Sequence, residues 1–99
     1  MNIVKKLTGS ELFVEVEGNI DSTTAPEFNE ALDQSIKGIS SLILDFKKVD
    51  YISSAGLRVL LVAFRTVSKS GTMVIRNVNK NVMDIFTMTG FANILTIEN

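Results

Sequence analysis

Cysteine and histidine are both absent from this sequence of 99 residues. Without cysteine there is no disulfide framework and no thiol nucleophile, and without histidine the commonest general base is missing. A zinc site built from these two residue types is excluded as well. Carboxylates and hydroxyls are therefore the side chains left to carry chemistry. The lack of disulfides suits a reducing compartment, and we expect a soluble, cytoplasmic protein.

An excess of basic residues is also lacking. Ten Lys and Arg residues stand against eleven Asp and Glu residues, which gives a formal net charge of -1. Because binding to nucleic acid or to an anionic membrane surface depends on such an excess, we expect neither among the partners. The longest apolar run, residues 59–64, is too short to cross a bilayer, and the N-terminus does not read as a signal peptide.

The residues that are present form alternating patterns of strands and helices. Val14 and Val16 alternate with Glu15 and Glu17, which is the period of a half-buried strand. The short, nearly continuous apolar run over residues 42–46 favours a central strand and is compatible with parallel neighbours. We predict strands over residues 3–7, 12–18, 42–46 and 72–76, with a possible last strand over residues 94–97.

Three helices are predicted between these strands. The first begins at Thr24, where Glu27 completes a capping box, and it ends at Gly38. The second runs from about residue 54 to residue 70, and the third covers residues 79–89. The inner stripe of the second helix is predicted to consist of Leu57, Leu60, Leu61, Phe64 and Val67.

The resulting order is β-β-α-β-α-β-α, with a possible final strand. Such alternation predicts one α/β domain over residues 1–99, with a mixed sheet, about three to four helices and right-handed crossovers.

Two polar loops are expected at one edge of this sheet. They cover residues 19–24, after the second strand, and residues 50–56, before the second helix. Since the carboxyl ends of parallel strands meet at the same edge, the two loops can share one polar surface. For Asp21, local turn bonding and a partner contact are equally open, whereas Tyr51 favours packing. The residues of this predicted surface are Asp21, Ser22, Thr23, Ser53 and Ser54.

The pair of serines before the second helix needs more than a capping role. One N-cap accounts for only one of Ser53 and Ser54. Gly56, in the first turn, costs about 1 kcal/mol relative to Ala, which makes sense if something approaches the backbone closely. A helix N-terminus also tolerates phosphate, because free amides and the helix dipole point toward it. A hydroxyl at this position can therefore accept a phosphoryl group with little damage to the fold.

At this point the residues resemble a known family. Residues 49–58, Val-Asp-Tyr-Ile-Ser-Ser-Ala-Gly-Leu-Arg, resemble the signature segment of the STAS-domain anti-sigma factor antagonists. Residues 18–21, Gly-Asn-Ile-Asp, followed by Ala25 and Phe28, resemble the second recurrent segment of that family. The resemblance covers nearly the whole chain in length, element order and both motifs.

The resemblance implies a switch protein that is a substrate and not an enzyme, and that needs no cofactor. In the family, the unphosphorylated protein binds a cognate anti-sigma factor that is a serine kinase, and this frees a sigma factor. Phosphorylation of the serine that corresponds to Ser54 abolishes the binding, and a phosphatase resets the switch. A phosphate adds about -1.5 to -2 charges, which breaks an interface beside acidic groups.

Two positions depart from the usual pattern of the family. Ser53 stands where an aspartate is common, so Ser53 remains the alternative phosphorylation site. Arg58 stands where a glycine is common. In the first turns of the helix, Arg58 can pair with a phosphate on Ser54, pair with an acidic group of the partner, or be a solvated helix residue.

The second predicted helix offers part of the partner surface. Val59, Val62 and Ala63 lie away from its inner stripe. Since a surface helix needs only one apolar side, such residues either pack beneath a neighbouring helix or meet a partner. We predict that Gly56, Arg58 and Val62 join the loop after the second strand in contacting the partner.

Two other functions compete with the switch. One is a STAS interaction subunit that is not phosphorylated, such as a scaffold or a component of a lipid-transport complex. The other is a hydrolase that uses Ser54, but no histidine is present and position 57 is leucine, so no Ser-x-x-Lys pattern follows Ser54. The oligomeric state is open.

Overall fold

The computed structural model of the protein describes residues 1–98. The elements follow one another in the predicted order, including the last strand. They are β1 (Asn2–Thr8), β2 (Glu11–Glu17), α1 (Ala25–Asp33), β3 (Ser41–Lys48), α2 (Ser54–Val67), β4 (Thr72–Arg76), α3 (Lys80–Thr89), a short 3-10 turn (Phe91–Asn93) and β5 (Thr96–Glu98). The prediction of an α/β fold with three helices and a mixed sheet is confirmed.

The five strands form one sheet in the order β1-β2-β3-β4-β5. β1 pairs with β2 antiparallel, whereas β2, β3, β4 and β5 are parallel to one another. Each parallel pair is connected through a helix, as parallel strands require. No helix within residues 1–98 is long and apolar enough to cross a membrane.

The core lies on one face of this sheet. Leu42, Leu44 and Phe46 of β3 are fully buried there, while Ile43 and Asp45 point to the opposite face. Because residues from all three helices belong to the same core, all three helices lie on this face. The other members of the core include Leu12, Val14, Val16, Ile75, Phe28, Leu32, Leu57, Leu60, Val82 and Phe86.

The capping box predicted at the start of α1 is wrong. Thr24 occupies the N-cap position, but its side chain makes no capping hydrogen bond. The Thr24 hydroxyl instead accepts a hydrogen bond from the Asp21 amide at 2.9 Å and donates to the Asn19 carbonyl at 2.8 Å. It faces back into the loop because the Thr24 backbone is already helical, with φ -95° and ψ -17°, rather than extended.

The first two helices also end earlier than predicted. α1 ends at Asp33 and not at Gly38, and Ile36 is buried within the turn that follows. α2 ends at Val67, where the amide of Ser68 closes the last turn by bonding to the Phe64 carbonyl at 2.9 Å. Apolar periodicity continues past the end of α1, because buried turn residues satisfy the same pattern as buried helix residues.

The predicted inner stripe of α2 is partly wrong. Leu61 and Phe64 are only half-buried, whereas Val59 and Ala63 are buried, which is one of the two alternatives left open for them. The reason is that α1 packs against α2, so α2 is covered by the sheet and by a neighbouring helix. Val62 is 48% exposed, as the prediction of a surface position requires.

Candidate functional site

The two polar loops are joined to each other at the carboxyl edge of the sheet. The Ile20 amide donates to the Tyr51 carbonyl at 3.0 Å, and the Ser53 amide donates to the Ile20 carbonyl at 2.7 Å. Ile20 and Ile52 form an isolated parallel bridge, which continues the pairing of β2 with β3 beyond the strands. The prediction that both loops lie on one edge is confirmed.

Asp21 organises the first loop through its carboxylate. Its Oδ1 atom accepts hydrogen bonds from the amides of Thr23 at 2.9 Å and Thr24 at 3.0 Å. The amide of Thr24, followed by that of Thr23, lowers the pKa of Asp21 below its usual value of 3.8. Asp21 therefore bonds the backbone of its own turn. Its ionised carboxylate also keeps a negative charge at the site, beside the exposed Ser22 and Thr23.

The two serines of the second loop have different surroundings. Ser53 is the N-cap of α2, and its half-buried hydroxyl accepts a long hydrogen bond of 3.4 Å from the Gly56 amide. Ser54 is the first residue of α2 and is exposed. Within residues 1–98, the Ser54 side chain forms no hydrogen bond, so its hydroxyl is the accessible one of the pair.

Gly56 makes the contact between the loops possible. A Cβ atom at this position would lie 2.6 Å from Ile20 Cγ2 and 2.6 Å from Ile52 Cγ1. Something does approach the backbone closely, as predicted, but it is the protein's own pair of isoleucines. Because Gly56 is buried, it shapes the site from below and offers no surface to a partner, which corrects its assignment as a contact residue.

An apolar groove opens directly beside Ser54. It lies between α2 and the C-terminal end of α3 with the turn that follows, and it has a volume of about 360 Å³. Leu57, Leu61 and Phe91 supply its apolar lining, and Thr89 lies at its border. The groove was not predicted from the sequence, because Leu61 was assigned to the core stripe of α2 and Phe91 to no predicted element.

Arg58 and Val62 extend the site along α2. Ser54, Arg58 and Val62 follow one another at intervals of four residues, so they lie on one side of the helix, and all three are exposed. Arg58 also lines the groove. In the part of the chain that the structure describes, Arg58 forms no ion pair or hydrogen bond, so its charge is available to a partner.

The site has the features of a contact surface. Residues 1–98 hold no group of three or more side chains suited to binding a metal ion. The site instead combines an accessible hydroxyl, an apolar groove, one free cation and a carboxylate fixed in its loop. An arrangement of this kind suits protein recognition with an apolar centre and a charged rim.

Comparison with known proteins gives a consistent result. A profile of the STAS domain matches residues 2–99. The anti-sigma-B factor antagonist of Listeria monocytogenes is 31% identical, over 100% of this chain and 91% of that protein. The crystal structure of an anti-sigma factor antagonist from Mycobacterium paratuberculosis gives a TM-score of 0.88 at 20% identity, over 97% of this chain and 83% of that one.

The same fold has been solved in a phosphorylated protein. SpoIIAA, a Bacillus cell fate determinant, in its phosphorylated form gives a TM-score of 0.74 at 14% identity, over 99% of this chain and 92% of that one. The two structural comparisons show the fold, while the profile and the Listeria relative show the family. The names of these relatives describe regulators, in agreement with the prediction of a non-enzymatic protein. The chain belongs to the STAS domain family.

Proposed function

We propose that this protein is an anti-sigma factor antagonist switched by phosphorylation of Ser54. In its unmodified form it binds a cognate anti-sigma factor, a serine kinase, which then releases a sigma factor. The single observation that carries the proposal is the setting of Ser54, whose exposed hydroxyl lies at the start of α2 and at the border of the apolar groove.

The modification itself is a simple transfer. The kinase moves the γ-phosphoryl group of ATP to Ser54 Oγ, the hydroxyl proton is lost, and ADP leaves. The fold tolerates the product because the first amides of a helix point toward an anion at this position. A phosphatase returns the serine by hydrolysis of the phosphate ester.

Release of the partner follows from the position of the new charge. A phosphate adds about -1.5 to -2 charges at neutral pH. At the border of an apolar groove, this charge must be desolvated when a partner covers the groove, and it repels any acidic group that the partner places there. Both effects disfavour the complex. The Bacillus protein SpoIIAA supports the proposal, because the same fold exists there in a phosphorylated form.

Ser54 fits the acceptor role better than Ser53 does. The Ser53 hydroxyl is half-buried and engaged as the N-cap of α2, so transfer to it would require the cap to open. The Ser54 hydroxyl projects from the first helical residue and is exposed.

Intact-mass measurement with peptide mapping tests the acceptor. The protein is incubated with host extract and ATP, beside the variants Ser54→Ala and Ser53→Asn. The Asn variant removes the Ser53 hydroxyl but keeps a side chain that caps helices well. We expect one added phosphate on the wild type and on Ser53→Asn, and none on Ser54→Ala. A phosphate that persists in Ser54→Ala and vanishes in Ser53→Asn would assign the switch to Ser53.

A constitutive STAS interaction subunit is the second candidate. Ser53, in the place of the usual aspartate, is the observation that favours it. In that case the protein captures a partner but takes up no phosphate, and Ser54→Ala and Ser54→Asp bind that partner equally well. A difference between these two variants, with Ser54→Asp the weaker, excludes the constitutive function.

A further inference from the structure

The groove beside Ser54 has an uneven distribution of charge. Its lining is predominantly apolar, from Leu57, Leu61 and Phe91, and among the described residues 1–98 its only formal charge is the guanidinium of Arg58. A volume of about 360 Å³ is sufficient for an apolar side chain of a partner. The occupant therefore enters an apolar pocket with a single positive charge at its border.

The two helices that form the groove leave this positive charge uncompensated. The sequence of α2, SAGLRVLLVAFRTV, contains two arginines and no acidic residue. On the opposite side of the groove, the only carboxylate of α3 belongs to Asp84, which pairs with Lys80 at 3.0 Å. A guanidinium is always charged and carries five N–H donors, which suit a carboxylate in a two-point contact. The exposed side of α2 is therefore locally basic, although the whole chain has a net charge of -1.

We propose that Arg58 makes this protein selective for an anti-sigma factor that presents a carboxylate next to an apolar side chain. The apolar side chain fills the groove against Leu57 and Phe91, and the carboxylate pairs with Arg58 at the border. This proposal rests on the proposed function, because it specifies the chemistry of the partner at the same site. Arg58 is here a residue that determines specificity.

The arrangement also links recognition to the switch. Ser54 precedes Arg58 by four residues on α2, and both line the groove. A phosphate on Ser54 would compete with the partner's carboxylate for the same guanidinium and would repel that carboxylate directly. The guanidinium of Arg58 thus pairs with the partner's carboxylate before phosphorylation and with the phosphate after it.

Charge reversal tests the proposal. The dissociation constants of wild type, Arg58→Lys, Arg58→Ala and Arg58→Glu are measured for each purified anti-sigma factor kinase encoded in the host genome. Arg65→Glu is the matched control, because Arg65 is an exposed arginine of the same helix outside the groove lining. Urea unfolding checks that the variants are folded. We expect Arg58→Glu to weaken binding by about tenfold or more, Arg58→Ala by less, and Arg65→Glu by less than about threefold.

A second variant in the partner identifies the contact. An Asp→Lys or Glu→Lys change at the partner's carboxylate is expected to restore binding to Arg58→Glu and to weaken binding to the wild type. The proposal is overturned when the affinity of Arg58→Glu lies within about threefold of the wild type, or when Arg58→Glu loses no more affinity than Arg65→Glu does. It is also overturned when no acidic residue of the partner gives this reciprocal effect.

The variant Ser54→Asp, measured in parallel, separates this proposal from the proposed function. If Ser54→Asp releases the partner and Arg58→Glu does not, the switch stands and the role of Arg58 is wrong. If Arg58→Glu weakens binding and Ser54→Asp does not, the recognition of a carboxylate stands and the switch is wrong. If no anti-sigma factor binds the wild type, both are wrong.

Discussion

Single side chains set the shape and the charge of the site. The carboxylate of Asp21 holds the amides of Thr23 and Thr24 and thereby closes the turn that leads into α1. Gly56, on the other loop, leaves the space that Ile20 and Ile52 fill. The two loops can approach each other because Gly56 has no side chain, while Asp21 fixes the shape of the first loop.

The lowered pKa of Asp21 predicts a pH dependence of stability. The ionised carboxylate accepts the hydrogen bonds, so its contribution is present above the ordinary value of 3.8 and is lost as the pH falls through the lower pKa of the folded protein. We expect the stability difference between wild type and Asp21→Asn to shrink below pH 3.8. Urea unfolding between pH values of about 6 and 2.5 measures it, with the exposed Asp33→Asn as control.

A constant difference between wild type and Asp21→Asn across this pH range would contradict the role of the Asp21 carboxylate. An equal pH-dependent change in Asp33→Asn would also contradict this role, because the effect would then be general to exposed carboxylates.

The substitution Gly56→Ala tests the close contact between the loops. A Cβ atom 2.6 Å from two isoleucine carbons forces those side chains to move, which costs about 1–3 kcal/mol of unfolding free energy. This loss is partly offset because Ala favours a helix over Gly by about 1 kcal/mol. We expect a net destabilisation in urea unfolding. Ala55→Gly, at the preceding residue, measures the helix propensity together with the loss of one partly buried methyl group, and a stabilised Gly56→Ala variant would show that no clash exists.

At the scale of the elements, α2 connects the core with the site. Its buried side, with Leu57, Leu60 and Val67, contributes to the core, and Val59 with Ala63 is covered in addition. The side with Ser54, Arg58 and Val62 stays exposed. The helix therefore presents the proposed partner residues from a rigid support, as precise recognition requires.

A charge at Val62 tests the assignment of this side of α2. Val62 is 48% exposed, so Val62→Lys changes the unfolding free energy by no more than about 0.5 kcal/mol. If Val62 lies in the interface, we expect the affinity for the anti-sigma factor to fall by about tenfold, because a lysine would be desolvated there. Val4→Lys is the matched control, since Val4 is a 59% exposed valine on β1. Equal affinities of both variants for the anti-sigma factor would show that Val62 lies outside the interface.

The boundaries of the elements show what the sequence can and cannot predict. The strand over Thr72–Arg76 was predicted to the residue, because alternation and turn residues delimit it. The start of α1 was predicted with the wrong hydrogen bonds, because the pattern at Thr24 and Glu27 contains no information on the Asp21 carboxylate that takes the local amides. A motif of four residues does not reveal a competitor that lies three residues upstream.

At the scale of the whole molecule, the chain order determines most of the fold. Each helix follows one parallel strand and precedes the next, so the sheet grows in sequence order from β1 to β5. Right-handed crossovers in one direction place all three helices on one face, where a single core forms. The opposite face carries Phe13, Ile43 and Val74 without a helix over them in residues 1–98.

The groove, unlike the fold, could not be predicted from the order of the elements along the chain. Its sides come from α2 and from the turn after α3, so it depends on how two helices are placed in space and not on a periodic pattern. Leu61 fits the apolar stripe of α2 as well as a core residue does, yet it lines an open groove. Periodicity tells which side of a helix is apolar, but not whether a neighbouring element covers that side.

The central claim is that phosphorylation of Ser54 ends binding to an anti-sigma factor. The most direct test is to measure the affinity of the cognate anti-sigma factor for three forms of the protein. These are the wild type, Ser54→Ala, and the chain with phosphoserine incorporated at position 54 during synthesis. We predict equal binding of the first two, and binding weaker by on the order of 100-fold for the phosphorylated form. Binding of the phosphorylated form within about threefold of the wild type would contradict the claim.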